Sequence, residues 1–524
     1  HHRGATLAFG QSVKPYWKLD EAQVILSLDC DFLGTEEGSE RFAGDFARGR
    51  KVAKKTDGMS RLYSVEALLT QTGANADHRL RANAMAIPAA AAFLANKLGQ
   101  EIEVPALKLT KEQQEWLSAC ADDLKVHEGM GLVVAGYRQP EAVHQLVHII
   151  NGALGNNGKT VEFLPAEVNE HGSLKDLVSD LGKFDRVINL GCNPVYDGGA
   201  DLNTDAVVKQ TAFRLTHFKK DESHSKSGIN APRAHYLESW GDARTANGTI
   251  VPIQPLIAPL FDAMTEIEVL SIFASPDISQ SAHEVVQETF NGDSWERYLH
   301  DGYQAGTAYS PVTRLTLAET KVSLSGLPVL NKDELEVVFT RDYSVDDGSY
   351  ANNGWCQELP DPINKIAWDN VLSVSRKTAD ERALKNGKLA TVKVGAREVT
   401  GPVWIQPGMA DNTVALPLGY GRKGELRVAN FQYEGGSKDI PVGGYNAYKV
   451  RATSAVNVDK VAGISGSNKD YPLSSTQEHW SMEGRPIVRE ATLDEFRKSE
   501  AKKEEATKKG EYNAKNFFPD NMGI

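Results

Sequence analysis

Short runs of consecutive apolar residues, each followed by a polar loop, restrict the fold of this chain more than any other feature. The runs VILSL (residues 24–28) and GLVVA (residues 131–135) carry almost no polar side chain. Strands of this kind are buried on both faces, as in parallel sheets that helices cover on both sides. Residues 141–154 show a one-sided apolar stripe at helical spacing, which is typical of such a covering helix. The pattern predicts an α/β fold with two doubly wound lobes, one around each run.

The composition changes in the second half of the chain. After Leu327-Pro328, short strand-like runs alternate with turns that contain Gly or Pro, at residues 335–340, 389–394, 402–406 and 413–416. This spacing is typical of a β domain and predicts a barrel. At 524 residues the chain is too long for a single core. The predicted divisions are a first α/β lobe at 1–125, a second at 126–265, a helical connection at 266–335, a β-barrel at 336–470 and a linker or tail at 471–524.

An irregular segment, residues 231–260, leaves the predicted second lobe. Its prolines fix φ and remove backbone donors, so neither a long helix nor a long strand is expected. The segment is predicted to pack against another surface, because a solvated loop rarely carries so many large apolar residues. These residues are Tyr236, Leu237, Trp240, Ile250, Ile253, Leu256 and Leu260. Its polar residues His235, Glu238, Asp242 and Arg244 are interpreted as hydrogen-bonding groups that hold an inter-domain crossing, not as site residues.

Polar residues at the predicted strand ends are the first candidates for a functional site, because open α/β sheets bind ligands there. Asp29, Asp31 and Glu36 form an acidic loop that could hold a cation or supply a base. The alternative, which we favour, is a solvated loop with turn hydrogen bonds. Arg138 and Asp197 also follow predicted strands, but single charged residues in loops do not define a mechanism.

Two histidines and four cysteines are the candidate metal ligands. His144 and His148 lie four positions apart on one predicted helix, a spacing that can bind a metal, but no H-E-x-x-H pattern accompanies them. We interpret them as solvated or hydrogen-bonded side chains. The cysteines are too far apart for a local iron–sulfur or zinc motif and are predicted to be free, buried thiols. They are Cys30, Cys120, Cys192 and Cys356. The chain is therefore predicted to bind no metal.

Residues 153–160 (ALGNNGKT) match a permissive phosphate-binding loop, but their context is reversed. A working loop follows a strand and opens a helix, whereas here a predicted helix ends at the motif and a strand follows it. Gly155 and Gly158 are instead predicted to be helix-terminating and turn glycines. No nucleophile-elbow, zinc-protease, protein-kinase or dinucleotide motif is present. We assign no catalytic, cofactor-binding or metal-binding residue.

The charge balance excludes one class of partner. Lys and Arg number 58 against 70 Asp and Glu, a net charge of −12, and no basic stripe is present, so a nucleic-acid surface is not expected. No apolar run approaches the length of a membrane-spanning helix. The chain does not begin with Met, and we interpret it as a piece of a longer polypeptide.

Several motifs occur in the order found in molybdopterin oxidoreductases, which the chain resembles. They are residues 29–35, 76–81 (ADHRLR), Gly155-Asn156, Gly191-x-Asn193-Pro194, the segment 231–260 and the region 389–422, which looks like a pterin-dinucleotide-binding barrel. Longer motifs are similar to one branch of that family, the large iron–sulfur peripheral subunit of bacterial alternative complex III. They are DCDFLGT (29–35), HYLESWGDAR (235–244), IQPLIAPL (253–260), WCQELPDP (355–362) and EHWSMEGRP (478–486). The resemblance covers about residues 1–490.

The resemblance implies a molybdopterin-oxidoreductase-like half without its cofactor, so no cofactor is expected in this chain. It implies a structural or assembly role in a quinol-oxidising complex on the periplasmic face of the bacterial cytoplasmic membrane. The expected partners are a ferredoxin-like iron–sulfur domain or subunit, multihaem cytochrome c subunits and polytopic quinol-reactive membrane subunits. The iron–sulfur clusters and c-type haems are expected in those partners. The first lobe is expected to lack its beginning, and residues 471–524 to lead towards the ferredoxin-like domain.

The alternative is the catalytic subunit of a molybdopterin-dependent oxidoreductase. A pterin site would need phosphate-binding donors at the strand ends, where Cys192 and the loop at 29–31 offer little positive charge. We therefore expect any remaining pterin cleft to be filled by side chains.

Overall fold

The computed structural model describes residues 1–55, 57–103, 109–166, 171–275, 280–318, 321–431, 443–476, 492–498 and 501. The strands are β1 Val13–Trp17, β2 Val24–Leu28, β3 Arg61–Glu66, β4 His78–Arg81, β5 Gly131–Ala135, β6 Val161–Pro165, β7 Val187–Leu190, β8 Thr211–Thr216, β9 Ile229–Pro232, β10 Gly241–Arg244, β11 Ile250–Ile253, β12 Leu335–Thr340, β13 Ile366–Ala367, β14 Leu372–Val374, β15 Lys388–Val394, β16 Arg397–Ile405, β17 Thr413–Pro417, β18 Val458–Val461, β19 Gly463–Asp470 and β20 Ser474–Ser475. The α-helices are α1 His2–Phe9, α2 Ser39–Gly49, α3 Gln71–Ala74, α4 Ile87–Lys97, α5 Lys111–Val126, α6 Glu141–Ala153, α7 Leu174–Asp180, α8 Pro194–Asp197, α9 Thr204–Gln210, α10 Glu266–Ala274, α11 Ala282–Thr289, α12 Trp295–Asp301, α13 Gly354–Glu358 and α14 Arg376–Glu381.

The first sheet has the strand order β4-β3-β2-β5, and every pair in it is parallel. β5 pairs with β2 from Val24 opposite Gly131 to Leu28 opposite Ala135. The two apolar runs that predict two separate lobes therefore lie side by side in one sheet. The predicted boundary between residues 125 and 126 is wrong, because it divides a hydrogen-bonded sheet.

Helices cover both faces of this sheet, as the uniformly apolar strands require. Val24, Leu26 and Leu28 pack in one core with α4, α5 and α6. Ile25 points to the opposite face and packs in a second core with Phe42 of α2. The antiparallel pair β1–β6 contributes to that second core. The capping box predicted at the start of α5 is present, since Thr110 accepts from the backbone of Gln113 and the Gln113 side chain accepts from Thr110.

The second sheet is small and has the order β7-β8-β9, with both pairs parallel. It takes in residues 187–232, so the second lobe begins later in the chain than predicted. Ser173 and Asp176 form the predicted capping box of α7. Gly155 and Gly158 have φ of 63° and 77°, and they lie between α6 and β6. These residues therefore form a helix end and a turn, as predicted, and do not form a phosphate-binding loop.

The predicted β domain is a seven-stranded mixed sheet with the order β18-β12-β17-β14-β16-β15-β19. Its two edge strands, β18 and β19, are separated in sequence only by Ala462, whose N–H donates to the carbonyl of Lys393. The sheet therefore curls round so that its first and last strands meet, and the inward side chains of its strands form one core. Three short helices, α10 to α12, precede it, and residues 303–318 and 321–334 contain no helix.

The segment 231–260 contains the end of β9 and the hairpin β10–β11. Tyr236, Leu256 and Leu260 are 59%, 76% and 52% exposed, so these residues do not pack against the described part of the chain. Its polar side chains bond locally. The backbone N–H of His235 donates to Glu238, and Arg244 donates to the carbonyl of Gly248. His235, Glu238 and Arg244 are thus hydrogen-bonding groups, as predicted, and their bonds hold the segment itself.

Among the described residues, no helix is both long and apolar enough to cross a membrane. The motif at 478–486 and most of the predicted linker or tail at 471–524 lie outside the described residues.

Candidate functional site

A buried ion pair closes the carboxyl end of the first sheet. Asp29 follows β2 with φ of 52°, and Arg138 follows the neighbouring strand β5. The Nη2 of Arg138 donates to Oδ1 of Asp29 at 2.9 Å, and Nε donates to Oδ2 at 3.3 Å. Gln139 donates to the same Oδ2 at 2.9 Å. Parallel strands end on the same edge, so the pairing of β2 with β5 brings these side chains together.

Tyr343 of the β domain covers Asp31. Its hydroxyl donates to Oδ2 of Asp31 at 2.7 Å, while the backbone N–H and hydroxyl of Thr72 donate to Oδ1 at 3.0 and 2.9 Å. Burial, reinforced by the charge of Asp31, raises the pKa of Tyr343 well above its usual range. Tyr343 is therefore a neutral phenol at physiological pH, and it acts as a hydrogen-bond donor to the carboxylate.

Glu36 completes the acidic loop. Its Oε1 accepts the backbone N–H of Tyr137 at 2.9 Å, and its Oε2 lies 3.2 Å from Nε2 of His1. Asp29, Asp31 and Glu36 are all buried. The loop is therefore not solvated, because side chains from other segments lie over it. The predicted turn hydrogen bonds are present, since the N–H groups of Gly34 and Thr35 donate to Asp31. In the part of the chain that the structure describes, no group of three or more His, Cys, Asp or Glu is arranged to hold a metal ion.

A cavity of about 70 Å³ remains between this loop and the β domain. Among its lining residues are Asp31, Arg138, Tyr343 and two carboxyl groups that sequence reasoning missed, Asp342 and Asp361. Burial raises the pKa of Asp342 to about 7 and also raises the pKa of Asp361. Asp342 directly follows β12 and Arg341, so the same strand-end rule that selected Asp29 could have selected it.

A larger cavity, of about 340 Å³, lies at the carboxyl end of the second sheet, against the β domain. Its polar lining includes Asn193, Asp197, Arg214, His217, Asp221, Arg233, His235, Glu266, Asp347 and Arg422. The predicted loop Gly191-x-Asn193-Pro194 and the predicted residues Asp197 and His235 thus lie in one cavity. Arg214, Arg233 and Arg422 were missed, because each reaches the cavity from a different element.

Each of these three arginines has a carboxylate partner. Arg214 is bidentate to Asp221, with Nη1–Oδ1 and Nη2–Oδ2 distances of 2.6 and 2.8 Å. Arg422 contacts Glu222 at 3.2 and 3.3 Å. Arg233 forms an ion pair with Glu266. The cavity therefore carries positive charge, contrary to the expectation for the strand ends, but most of that charge is neutralised by the protein itself.

Burial shifts the pKa values of two groups in this cavity, Asp197 and His217. Burial raises the pKa of Asp197 to about 6, with a smaller contribution from Asp347. Burial lowers the pKa of His217, and the neighbouring charge of Arg233 acts in the same direction. Both groups are therefore less charged at neutral pH than they would be in water.

The other candidates lie outside these cavities. His144 and His148 are buried, so neither is solvated, and burial lowers the pKa of His148 to about 3. His144 forms hydrogen bonds with the backbone of Gly136 and Gln139, so the hydrogen-bonded alternative is correct for this residue. Cys30 and Cys120 are free and buried as predicted. Cys192 is exposed and Cys356 is half-buried, so the prediction of buried thiols is wrong for these two.

No protein-family model matches the sequence, and no curated protein matches it. A solved structure does: acetylene hydratase from Pelobacter acetylenicus superposes with a TM-score of 0.54 at 12% sequence identity. The match covers 89% of this chain and 80% of that one. At this identity the similarity shows the fold alone. The predicted fold class, a molybdopterin-oxidoreductase-like arrangement of α/β lobes and a β domain, is confirmed.

Proposed function

We propose that this chain, which has the molybdopterin-oxidoreductase-like fold, is a cofactor-free structural part of a quinol-oxidising membrane complex of the alternative complex III type. In this role it supports an iron–sulfur domain, multihaem cytochrome c subunits and quinol-reactive membrane subunits on the periplasmic face. The long motifs at 235–244, 253–260 and 355–362 are the basis for the choice of complex.

The main observation in support of a cofactor-free chain is that side chains fill the carboxyl end of the first sheet. Asp29 and Arg138 neutralise each other, and Tyr343 from the β domain bonds directly to Asp31. The remaining space, about 70 Å³, is far below the roughly 300–1,000 Å³ of typical cofactor pockets. Side chains of the protein thus occupy the position where a doubly wound sheet binds its ligand.

The residues at this end also fit a pterin dinucleotide poorly. A pyrophosphate needs backbone or cationic donors that are not already engaged. The Arg138 guanidinium donates to Asp29, and the neighbouring loop presents buried carboxylates. A Cβ at Gly136 would lie 1.9 Å from the carbonyl oxygen of Asp29, so the backbones of the two strand ends are already in close contact.

The second cavity is the observation that favours the alternative, a molybdopterin-dependent catalytic subunit. Its volume of about 340 Å³ lies at the lower limit of ligand pockets, and Arg214, Arg233 and Arg422 line it. The expectation that side chains fill any remaining cleft is therefore wrong for the cavity at the carboxyl end of the second sheet. We favour the structural role because all three guanidinium groups are paired with carboxylates, which neutralise most of the charge that would attract an anionic ligand.

Elemental analysis of the purified native complex separates the two functions. We expect less than about 0.1 molybdenum or tungsten atom per chain and no pterin after acid extraction, with iron from the partner subunits as the internal standard. Stoichiometric molybdenum or tungsten together with extractable pterin would establish the alternative. Identification of the co-purifying subunits tests the choice of complex: absence of multihaem cytochromes and polytopic subunits would contradict it.

A further inference from the structure

The chain exposes an apolar surface on the segment that was expected to be packed. Leu237, Leu256, Ile257, Leu260 and Phe261 are exposed by 38%, 76%, 52%, 52% and 88%, and we call them the docking face. Leu237, Leu256 and Ile257 are neighbours, because the backbone N–H groups of Leu256 and Ile257 both donate to the carbonyl of Leu237. Leu260 and Phe261 follow Ile257 directly along the chain, after Ala258 and Pro259. Soluble proteins seldom leave such a contiguous apolar patch on their surface unless it binds something.

The docking face borders a groove of about 500 Å³. One wall is the chain from Pro255 to Pro259, and the other includes the start of α10 and α11. Trp240 lines the groove and packs edge-on against His283, with ring centroids 4.6 Å apart. An aromatic side chain held by packing beside an open groove provides a rigid site for an apolar side chain of a partner.

The turn that carries Phe261 has a strained backbone. The N–H of Ala263 donates to the carbonyl of Leu260, and the two residues between them have positive φ, 61° for Phe261 and 49° for Asp262. Turns with two such residues strongly prefer Asn-Gly, because a Cβ disfavours this conformation. The chain has Phe-Asp here, and the phenyl ring points into solvent. Strain that holds an exposed side chain in place is typical of functional surfaces.

The charges around the groove indicate what kind of partner fits. Glu238 and Glu268 line it, and Asp262 lies beside Phe261. Among the described residues, neither Lys nor Arg lines this groove. We propose that the docking face binds a protein segment whose apolar side chains are flanked by Lys or Arg. Complementary charge would steer that partner and exclude acidic ones.

The same charges argue against two other occupants. An anionic bilayer would be repelled by the three carboxylates, and binding of apolar residues to such a surface normally relies on basic neighbours. A second copy of this chain, with a net charge of −12, would bring the same acidic groups to the interface. The docking proposal does not depend on the proposed lack of a cofactor. Metal content reports on a cofactor site, whereas the cross-link reports on the docking face, so either proposal can fail without the other.

Photo-cross-linking in the cells that make the full-length protein tests the docking face. A benzoylphenylalanine at position 257, within the groove, should cross-link to a peptide of another protein that contains apolar residues within a few positions of Lys or Arg. The double substitution Phe261→Asn/Asp262→Gly should lower the yield at least tenfold while the melting temperature stays equal or rises, because Asn-Gly relieves the turn. Asp262→Asn, which keeps the conformation and removes the charge, should lower the yield about threefold.

An exposed aromatic residue outside the groove provides the matched control. Trp355 on α13 is 84% exposed and does not line the groove, so Trp355→Ser should leave the yield unchanged. The docking proposal is overturned by a cross-link to a second copy, by an acidic partner peptide, by no cross-link, or by an unchanged yield in Phe261→Asn/Asp262→Gly. Co-sedimentation of the purified chain with phosphatidylglycerol vesicles, lost on the same double substitution, would identify a membrane as the occupant and overturn it equally.

Discussion

Burial decides the chemistry of single residues in this protein more than sequence context does. His148 has the spacing of a metal ligand relative to His144, but its ring packs against both Phe9 and Phe163, with centroids 5.7 and 5.3 Å away. Its Nδ1 has no hydrogen-bond partner among the described residues. The imidazole is therefore a neutral core side chain.

His148 should make the protein sensitive to acid. Burial lowers its pKa from 6.5 to about 3, so its neutral form stabilises the fold fully above pH 6.5. That stability is lost as the pH falls from 6.5 towards 3, because the unfolded chain binds the proton more tightly. By pH 4.5 we expect a loss on the order of 2–3 kcal/mol from this group. In His148→Phe the decrease in melting temperature between pH 7.5 and 4.5 should be smaller than in the wild type.

The matched control for this prediction is His171→Phe, because His171 is exposed. Its pH profile should follow that of the wild type. Equal acid sensitivity of His148→Phe and the wild type would contradict the assignment of His148 as a buried neutral group.

The strand-end carboxylates show where residue-level prediction ends. Asp29 and Asp31 follow a buried strand, so their position at a sheet edge is readable from the sequence. Their partners Arg138 and Tyr343 are 109 and 312 positions away. A solvated loop was the reasonable expectation from local sequence, and only long-range pairing makes it a closed cluster.

At the scale of elements, helices and strands that depend on neighbouring residues in the sequence were predicted correctly. The apolar period predicted β2, β5 and α6, and a Thr-x-x-Gln pattern predicted the start of α5. Strand pairing depends on contacts between distant segments, which is why β5 was assigned to the wrong sheet.

The capping box of α5 should be measurable by itself. In Thr110→Ala the N–H of Gln113, now bonded to the Thr110 hydroxyl at 3.2 Å, loses its acceptor. We expect the free energy of opening the first turn of α5 to fall by about 1 kcal/mol. Local hydrogen exchange in that turn should then be roughly fivefold faster. Peptide-resolved hydrogen exchange measures it.

Ser118→Ala, on the same helix, provides the comparison. The Ser118 hydroxyl donates only to the carbonyl of Gln114 within the helix, and Ala has the higher helix propensity. Exchange in the first turn should be unchanged or slower. An equal acceleration in both variants would mean that α5 responds to any substitution and that the cap has no special role.

At the scale of the whole molecule, buried carboxylates join the β domain to the first lobe. Glu336 of β12 is fully buried; its Oε1 accepts the N–H of Ala84 at 2.8 Å and the hydroxyl of Thr413 at 2.7 Å. Its Oε2 accepts the N–H of Met85 at 3.0 Å. Backbone donors of the first lobe are thus satisfied by a side chain of the β domain.

Glu336→Gln should weaken this connection. The amide supplies one acceptor oxygen where the carboxylate supplies two, so an N–H of residue 84 or 85 loses its partner, at a cost of about 1–3 kcal/mol. Calorimetry should show a lower unfolding temperature and a broader transition as the lobe and the β domain become less coupled. The exposed Glu358 provides the control substitution Glu358→Gln, which should unfold as the wild type does. Identical calorimetric traces for all three proteins would exclude this role.

The sequence alone determined that the chain is an α/β protein with a β domain after it, because apolar periods and turn residues report on local backbone. It also determined which residues lie at strand ends. The tertiary structure decided how those ends are used: the pairing of β2 with β5 closed one of them, and a cavity lined by three paired arginines remained at the other. It also decided which apolar residues of the segment 231–260 stay exposed, since exposure of an apolar residue depends on every other segment and not on its own neighbours.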